Sequence, residues 1–261
     1  MRSKTCFALI VSCFGIALLL CLHNCRAIRR QSDARPVTHE LWDALVKKHV
    51  RPDGMVDYRG FVQDSAELNR YLRLLASGHP NDAHWSRQEQ MAYWINAYNA
   101  YTVQLVARHY PVASIKDIQR GVPFVNTVWD IKFIQIEGHT YDLNNIEHNI
   151  LRPVFRDARI HAAINCASFS CPRLRPEAYT ADRLDAQLTD AMRAFVNDPL
   201  RNRVAPDGAD ISAIFKWFSG DFERDAGSVR GYINRYADTK LPDTGRLGYL
   251  AYDWNLNEAL K

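Results

Sequence analysis

The sequence predicts an α+β fold, a helix-rich single domain with a small, mainly antiparallel sheet and a buried central helix. Three observations carry this. Several stretches repeat apolar residues at helical spacing, a few short β-branched runs are bounded by Gly-containing turns, and the two kinds of segment follow one another irregularly. Strict alternation would instead indicate a parallel sheet. Leu41, Trp42, Leu45, Val46 and Val50 mark the first helix, stopped by Arg51-Pro52-Asp53-Gly54. Leu68, Leu72 and Leu75 are the inward positions of a second. The third is the best defined: Ser86 and Glu89 form a capping box, Pro111 marks its end, and Tyr93, Trp94, Ile95, Tyr98, Tyr101, Val103, Leu105 and Val106 leave almost no polar face. A helix apolar nearly all round is expected inside the fold. Asn96 and Asn99 share one face of it and need partners there; tying down neighbouring backbone is the favoured role, contacting substrate the other. His109, at the end of this helix, suits a dipole partner better than a catalyst.

In the middle third, Val128 to Ile136 reads as a strand, Glu137-Gly138 as its turn and His139 to Asp142 as the returning strand. A helix over 143–151 is stopped by Pro153, and Arg159 to Asn165 reads as a buried strand ending in the Cys166 to Cys171 turn. Leu184, Leu188, Ala191 and Phe195 describe a helix opened by Thr180 and closed before Pro199. Arg203-Val204 and Ala209 to Ile211 flank Pro206-Asp207-Gly208 as a hairpin, and Ser212 and Ser228 each cap a short helix. Tyr252 and Trp254 are expected to fill the core.

The N-terminus points to export. Arg2 and Lys4 precede eighteen mostly apolar residues, Thr5 to Leu22, and Cys25-Arg26-Ala27 offers the small residues that a signal peptidase reads. Cleavage after Ala27 is preferred; retention as a membrane anchor and lipidation at Cys13 are the alternatives. Residues 28–37 then form a short tether and 38–261 the globular domain, in an extracytoplasmic compartment, with membrane contact only through the N-terminal segment. Removing residues 1–27 takes away Arg2, Lys4 and Arg26, so the formal charge falls from +4 to +1. Such a balance gives no clustered basic face, which disfavours nucleic acid as a partner.

Four of the six cysteines lie in that leader, leaving Cys166 and Cys171. In an oxidising compartment the first expectation is a disulfide. Five residues of extended chain would hold the two Cα atoms roughly 17 Å apart, so pairing requires a tight turn. It would be a local clip contributing about 2 kcal/mol. A second reading makes Cys166 a nucleophile toward an acyl carbon, kept as thiolate by His161 or His148, with backbone N–H groups of the turn receiving the oxyanion. Glu147 cannot readily orient its neighbour His148, because adjacent helix residues point about 100° apart. Glu147 or Asp142 could instead serve His161, which shares a strand face with Asn165. A third reading, a metal site of His148, His161, Cys166 and Cys171, has suitable ligand types, but its H-x4-C-x4-C spacing matches no strong zinc signature, so no metal and no cofactor are expected. The residues alone favour the clip.

Three blocks then bear on the choice: Trp94-Ile95-Asn96-Ala97-Tyr98-Asn99-Ala100; Ile146-Glu147-His148 with Leu151-Arg152; and His161-Ala162-Ala163-Ile164-Asn165-Cys166-Ala167-Ser168 with Ser170-Cys171-Pro172. Together they resemble the signature blocks of domain-of-unknown-function family five-four-seven. Gly54 to Tyr58, Trp217 with Asp221-Phe222, and Tyr252 to Asn257 resemble its outer edges. The resemblance implies a bacterial member that is secreted or lipoprotein-like; the leucine-zipper segment of plant members is missing here. It also implies that the position of Cys171 is dispensable in plant members while that of Cys166 is kept, which favours a role for the Cys166 side chain itself. The resulting expectation is a cysteine-dependent hydrolase or acyltransferase of the cell envelope, acting on a peptide or amide-like substrate. Cys166 is its nucleophile, His161 its base with His148 as alternate, and Glu147 the orienter; Asn96, Asn99, Asn165, Ser168 and Arg152 are candidate substrate contacts. The alternative is a non-enzymatic envelope domain that binds a peptide, glycan or protein and is clipped by a Cys166–Cys171 disulfide.

Overall fold

The helix over Arg87–His109 (α4) organises the fold, and every residue on it from Met91 to Val106 is buried. A computed structural model of the chain describes residues 32–118, 127–205 and 208–259. The expected leader, its four cysteines and the turn residues Pro206-Asp207 lie outside the described residues. Ser86 and Glu89 start α4 as expected: the Glu89 N–H donates to Ser86 Oγ at 3.2 Å, and the Ser86 N–H to Glu89 Oε2 at 2.6 Å. Helices α1 (Glu40–His49), α2 (Tyr58–Gln63) and α3 (Ser65–Ala76) precede it, and α2 and α3 pack directly on it. Large side chains sit more readily in this interior where their polar tips find partners. The Tyr93 hydroxyl donates to the Leu75 carbonyl at 2.7 Å, for example.

The strand expected over 128–136 is shorter. Val128–Asp130 forms a 3-10 turn, because Asp130 accepts the Thr127 N–H at 2.8 Å and so offers that backbone a local alternative to a ladder. Only Ile134–Ile136 (β1) pairs antiparallel with His139–Tyr141 (β2), through a Glu137-Gly138 turn in which both residues have positive φ. The helix expected to stop at Pro153 instead runs as a π-helix over Asn145–Phe155. A proline ring collides with the carbonyl four residues back, and the wider i→i+5 turn moves that carbonyl aside.

The expected strand 159–165 is a helical turn, α5 (Ile160–Ala163). Asp157 accepts the Arg159 N–H at 3.0 Å and starts the turn, and Ala162-Ala163 favour it. The apolar run correctly signals burial; a run this short does not specify its period. Beyond it, α6 (Leu184–Val196) begins later than Thr180, whose N–H is taken by Gln187 Oε1 at 3.0 Å. β3 (Arg203–Ala205) and β4 (Gly208–Ile211) form the expected hairpin, and β5 (Arg246–Tyr249) joins β4 in parallel. Between them lie α7 (Ile214–Trp217), α8 (Ser219–Ala226) and α9 (Val229–Tyr236). Ser228 caps α9, accepting the Gly231 N–H at 2.9 Å, and Ser212 Oγ accepts the Ile214 N–H at 3.3 Å. The architecture is α+β, with two small sheets rather than one. Among the described residues no helix is long and apolar enough to cross a membrane.

Two apolar clusters result. One surrounds α4; the other joins α6, β4 and α7 to α9. The chain through α5 lies between them, giving Ile160 and Ala163 to the first and Ala158 and Ala162 to the second. His161 therefore sits where the two clusters meet.

Candidate active site

The cysteine turn is held from three directions. From below, Asn99 on α4 accepts the Asn165 N–H at 2.8 Å and donates to the Ala163 carbonyl at 2.9 Å. Asn96 clasps Tyr179 in the same way, at 3.0 and 2.7 Å. Both amides are buried and tie down backbone, the favoured of their two expected roles. From within, Asn165 donates to the Pro172 carbonyl at 2.7 Å and accepts the Ala167 N–H at 2.9 Å, and Ala167 takes the left-handed conformation, φ 64°. That reversal brings positions 166 and 171 face to face. From the far side, the C-terminal segment lies across the turn: the Asn255 carbonyl accepts from the Phe169 N–H at 2.7 Å and the Asp253 carbonyl from the Ser170 N–H at 3.2 Å. Arg201 completes the cradle, donating to the Cys171 carbonyl at 2.6 Å and the Phe169 carbonyl at 2.8 Å.

Both cysteines are free thiols, with no disulfide between them. Their sulfurs stand 3.0 Å apart. Cys171 is buried, whereas Cys166 is partly exposed. When Cys166 is ionised, the Cys171 thiol is the donor to its sulfur, and this bond outweighs burial. Ser168, at 3.2 Å, and Tyr252, at 3.3 Å, add to it, and the Cys166 thiol is drawn down to about 6. Burial pushes the Cys171 thiol up. Among the described residues, no imidazole bonds to the Cys166 sulfur, so His161 does not hold the thiolate as the sequence reading proposes.

His161 is placed elsewhere in the same site. Its Nε2 meets Asp221 Oδ2 at 2.9 Å, its Nδ1 lies 3.9 Å from Glu147 Oε1, and its ring stacks on Phe218 at 4.0 Å. Desolvation lowers its pKa despite Asp221, so the imidazole is neutral. A carboxylate only accepts; the ring proton therefore belongs on Nε2, and Nδ1 turns a lone pair toward Glu147. Burial works against the Asp221 carboxylate, but bonds from His161 and Arg152 outweigh it and hold its pKa low. Asp142 does not orient His161; it accepts the Asn145 N–H at 2.6 Å and pairs with Lys132. Asp221 fills that role, sixty residues from His161, and its one sequence signal was the resemblance at Trp217 with Asp221-Phe222.

Glu147, buried on the π-helix, is the carboxyl of the site whose pKa is raised. Burial, reinforced by the charge of Cys166, pushes it up to about 7 against the pull of Arg152. The Tyr98 hydroxyl donates to it at 3.4 Å. This shift fixes a pH dependence. An unfolded glutamate releases its proton near 4.5, so the folded form binds the proton more tightly, and stability falls as pH rises from 4.5 through 7. Glu147→Gln is expected to be more stable than wild type by about 3 kcal/mol at a pH about one unit above that range, and equal to it below pH about 4, as read from urea midpoints at constant slope. His148 and Arg152 occupy the rim: His148 Nδ1 accepts from Arg152 Nη1 at 3.1 Å, and Arg152 Nε donates to Asp221 at 2.7 Å. Desolvation lowers the His148 pKa.

Glu147, His148, His161, Cys166 and Cys171 line one cleft of about 200 Å³ whose walls are Trp129, Trp217, Phe218, Tyr252 and Trp254. Tyr252 and Trp254 are thus rim residues rather than core, because the extended C-terminal segment that carries them lies on the surface of the cysteine turn. Rings of Trp217 and Tyr252 stand 4.7 Å apart, and those of Tyr252 and Trp254 4.5 Å. The expected backbone oxyanion hole is not available. Within the turn the Cys166 N–H donates to Cys171 Sγ, that of Ala167 to Asn165, that of Ser168 to Cys166 Sγ and that of Cys171 to the Ser168 carbonyl. Phe169 and Ser170 are taken by the C-terminal segment, so the donors left at the cleft floor are hydroxyls. The Ser168 and Tyr252 hydroxyls lie 2.9 Å apart, and both lie against the sulfur. Among the described residues no group of three His, Cys, Asp or Glu side chains is arranged to hold a metal ion.

No curated protein and no solved structure matches the chain. Residues 83–196 match the family model described as Protein of unknown function, DUF547. The matched span runs from the entry to α4 to the end of α6, so it holds both asparagines, Glu147, His161 and the cysteine turn, while Asp221, Tyr252 and Trp254 lie beyond it. Over the segment that builds the floor of the cleft, the chain is similar to the DUF547 family.

Proposed function

We propose that this chain is an exported cell-envelope enzyme, a cysteine-dependent hydrolase or acyltransferase acting on a peptide or amide-like substrate. One observation carries the reading: a single cleft holds a thiol that ionises near 6 and a carboxyl that keeps its proton to about 7. Environments that push two titratable groups in opposite directions assign a nucleophile and a general acid. Cys166 sulfur attacks the carbonyl carbon, and the displaced electron pair collects on oxygen, for which the Tyr252 hydroxyl beside the sulfur is a donor. The C–N bond breaks as Glu147 gives its proton to the amine. Glu147, now a carboxylate, takes a proton from water or an acceptor amine, whose attack on the thioester releases Cys166. Neutral His161, fixed by Asp221, presents its Nδ1 lone pair to Glu147 and can share the proton between the two steps. The aromatic walls suit an apolar or planar side of the substrate. Envelope location is supported by the apolar segment Thr5 to Leu22 and the polar cleavage region after it.

The test uses the full chain with Cys6, Cys13, Cys21 and Cys25 replaced by serine, and p-nitrophenyl acetate as acyl donor. The expected result is a burst of nitrophenolate with one acetyl group on Cys166. No acetyl adduct, or an equal burst from Cys166→Ser, contradicts the reading. Glu147→Gln is expected to keep the burst and lose the steady turnover, because acylation by an activated ester needs no acid while hydrolysis needs a base.

A further inference from the structure

Acyl transfer requires one sulfur, and the turn presents two. Residues 166 and 171 are brought together by the left-handed Ala167 and held there by Asn165, Arg201 and the C-terminal segment, with sulfurs 3.0 Å apart. Forming a bond of about 2 Å needs only a small approach of the two sulfurs. The pair is also unequal: both cysteines line the cleft, but Cys166 is partly exposed while Cys171 is buried. We propose that Cys166 and Cys171 act as a working dithiol, reducing a small-molecule or peptide disulfide presented in the aromatic cleft, with Cys166 attacking and Cys171 resolving. This second activity rests on Cys166 being the cleft nucleophile, as the acyl-transfer reading does, but it needs neither an oxyanion hole nor an imidazole on the sulfur. The two features that fit acyl transfer least well are therefore no obstacle to it.

Cys166 thiolate attacks one sulfur of the substrate disulfide, the S–S bond breaks, and the leaving thiolate takes a proton from Glu147. A mixed disulfide now joins Cys166 to the other half. Cys171 gives up its proton to the ionised Glu147 and attacks the Cys166 sulfur, releasing the second half as a thiolate and leaving a Cys166–Cys171 disulfide. The substrate gains two electrons and the dithiol loses two; two equivalents of an external thiol reverse the exchange and reset the site. The low Cys166 and high Cys171 thiol pKa values agree with an attacking and a resolving partner. Burial raises the Cys171 thiol first and the neighbouring thiolate second; the mixed disulfide removes the second cause.

The experiment uses the full chain with the four leader cysteines as serine, reduced and desalted, with oxidised glutathione as the probe and no acyl donor present. Acid quenching and trypsin then give Ile160–Arg173, one peptide holding both cysteines. Wild type is expected to yield this peptide about two mass units lighter, as an internal disulfide, after a short-lived glutathione adduct. Cys171→Ala should accumulate the adduct on Cys166, and Cys166→Ala should react at least about tenfold more slowly, on Cys171. A stable glutathione adduct in wild type, an unreacted dithiol, or faster reaction through Cys171 overturns the proposal. Because the readout is thiol state, it is separable from the ester test. A site that acetylates without exchanging keeps the acyl-transfer reading and loses this one, and the converse holds equally.

Discussion

Cys166→Ser is expected to lower steady release of nitrophenolate from p-nitrophenyl acetate by about 10³-fold or more, while Cys171→Ser stays within about tenfold of wild type. The asymmetry follows from what each sulfur does. Cys166 is ionised near neutrality and opens to the cleft, and a serine hydroxyl in its place keeps its proton and has no imidazole to remove it. Cys171 acts by donating a hydrogen bond to that thiolate, and a serine hydroxyl can donate one too. Cys171→Ala removes the donor, so its rate should need a higher pH to reach half-maximum. Equal losses in both serine variants, accompanied by equal losses of stability, would reduce the pair to a structural clip.

Arg201→Met is expected to destabilise the protein by about 3–5 kcal/mol, with a lower urea midpoint and little change in slope. Arg201 is buried, and besides the Cys171 and Phe169 carbonyls it pairs with Asp198 at 2.5 Å, a carboxylate whose side chain is 1% exposed. Removing the guanidinium leaves that charge buried with the more distant Arg173, at 3.3 Å, and the Leu200 N–H, at 3.0 Å, and leaves both carbonyls without this donor. Because those carbonyls belong to the cysteine turn, the same variant should expose Cys171 to alkylation. A fall in stability without that exposure would mean that the turn is held by the asparagines and the C-terminal segment alone.

What the sequence made legible was whatever is encoded within one helical or extended stretch. The Ser86 and Glu89 box, the all-round apolar helix and the Asn96 and Asn99 face are local patterns, and the structure has them where the spacing puts them. The hairpin of β3 and β4 was local as well. The apolar run at 159–165 conveyed burial but not conformation, so His161 was assigned a strand face that does not exist. The parts of the site missed altogether come from afar. Asp221 reaches His161 from α8, and Tyr252 reaches Cys166 from the C-terminal segment, separations no periodicity encodes. The fate of the turn amides was equally hidden, since two of them are taken by Asn255 and Asp253, more than eighty residues on.

The most direct measurement is the rate of iodoacetamide alkylation at Cys166 against pH, read on the peptide Ile160–Arg173 of the reduced chain. A thiol held as an anion by Cys171, Ser168 and Tyr252 gives a profile half-maximal near pH 6, with Cys171 unmodified until the protein unfolds. A profile half-maximal at about 8.5, the value of an ordinary thiol, or a Cys166 that does not react in the folded protein, contradicts the account.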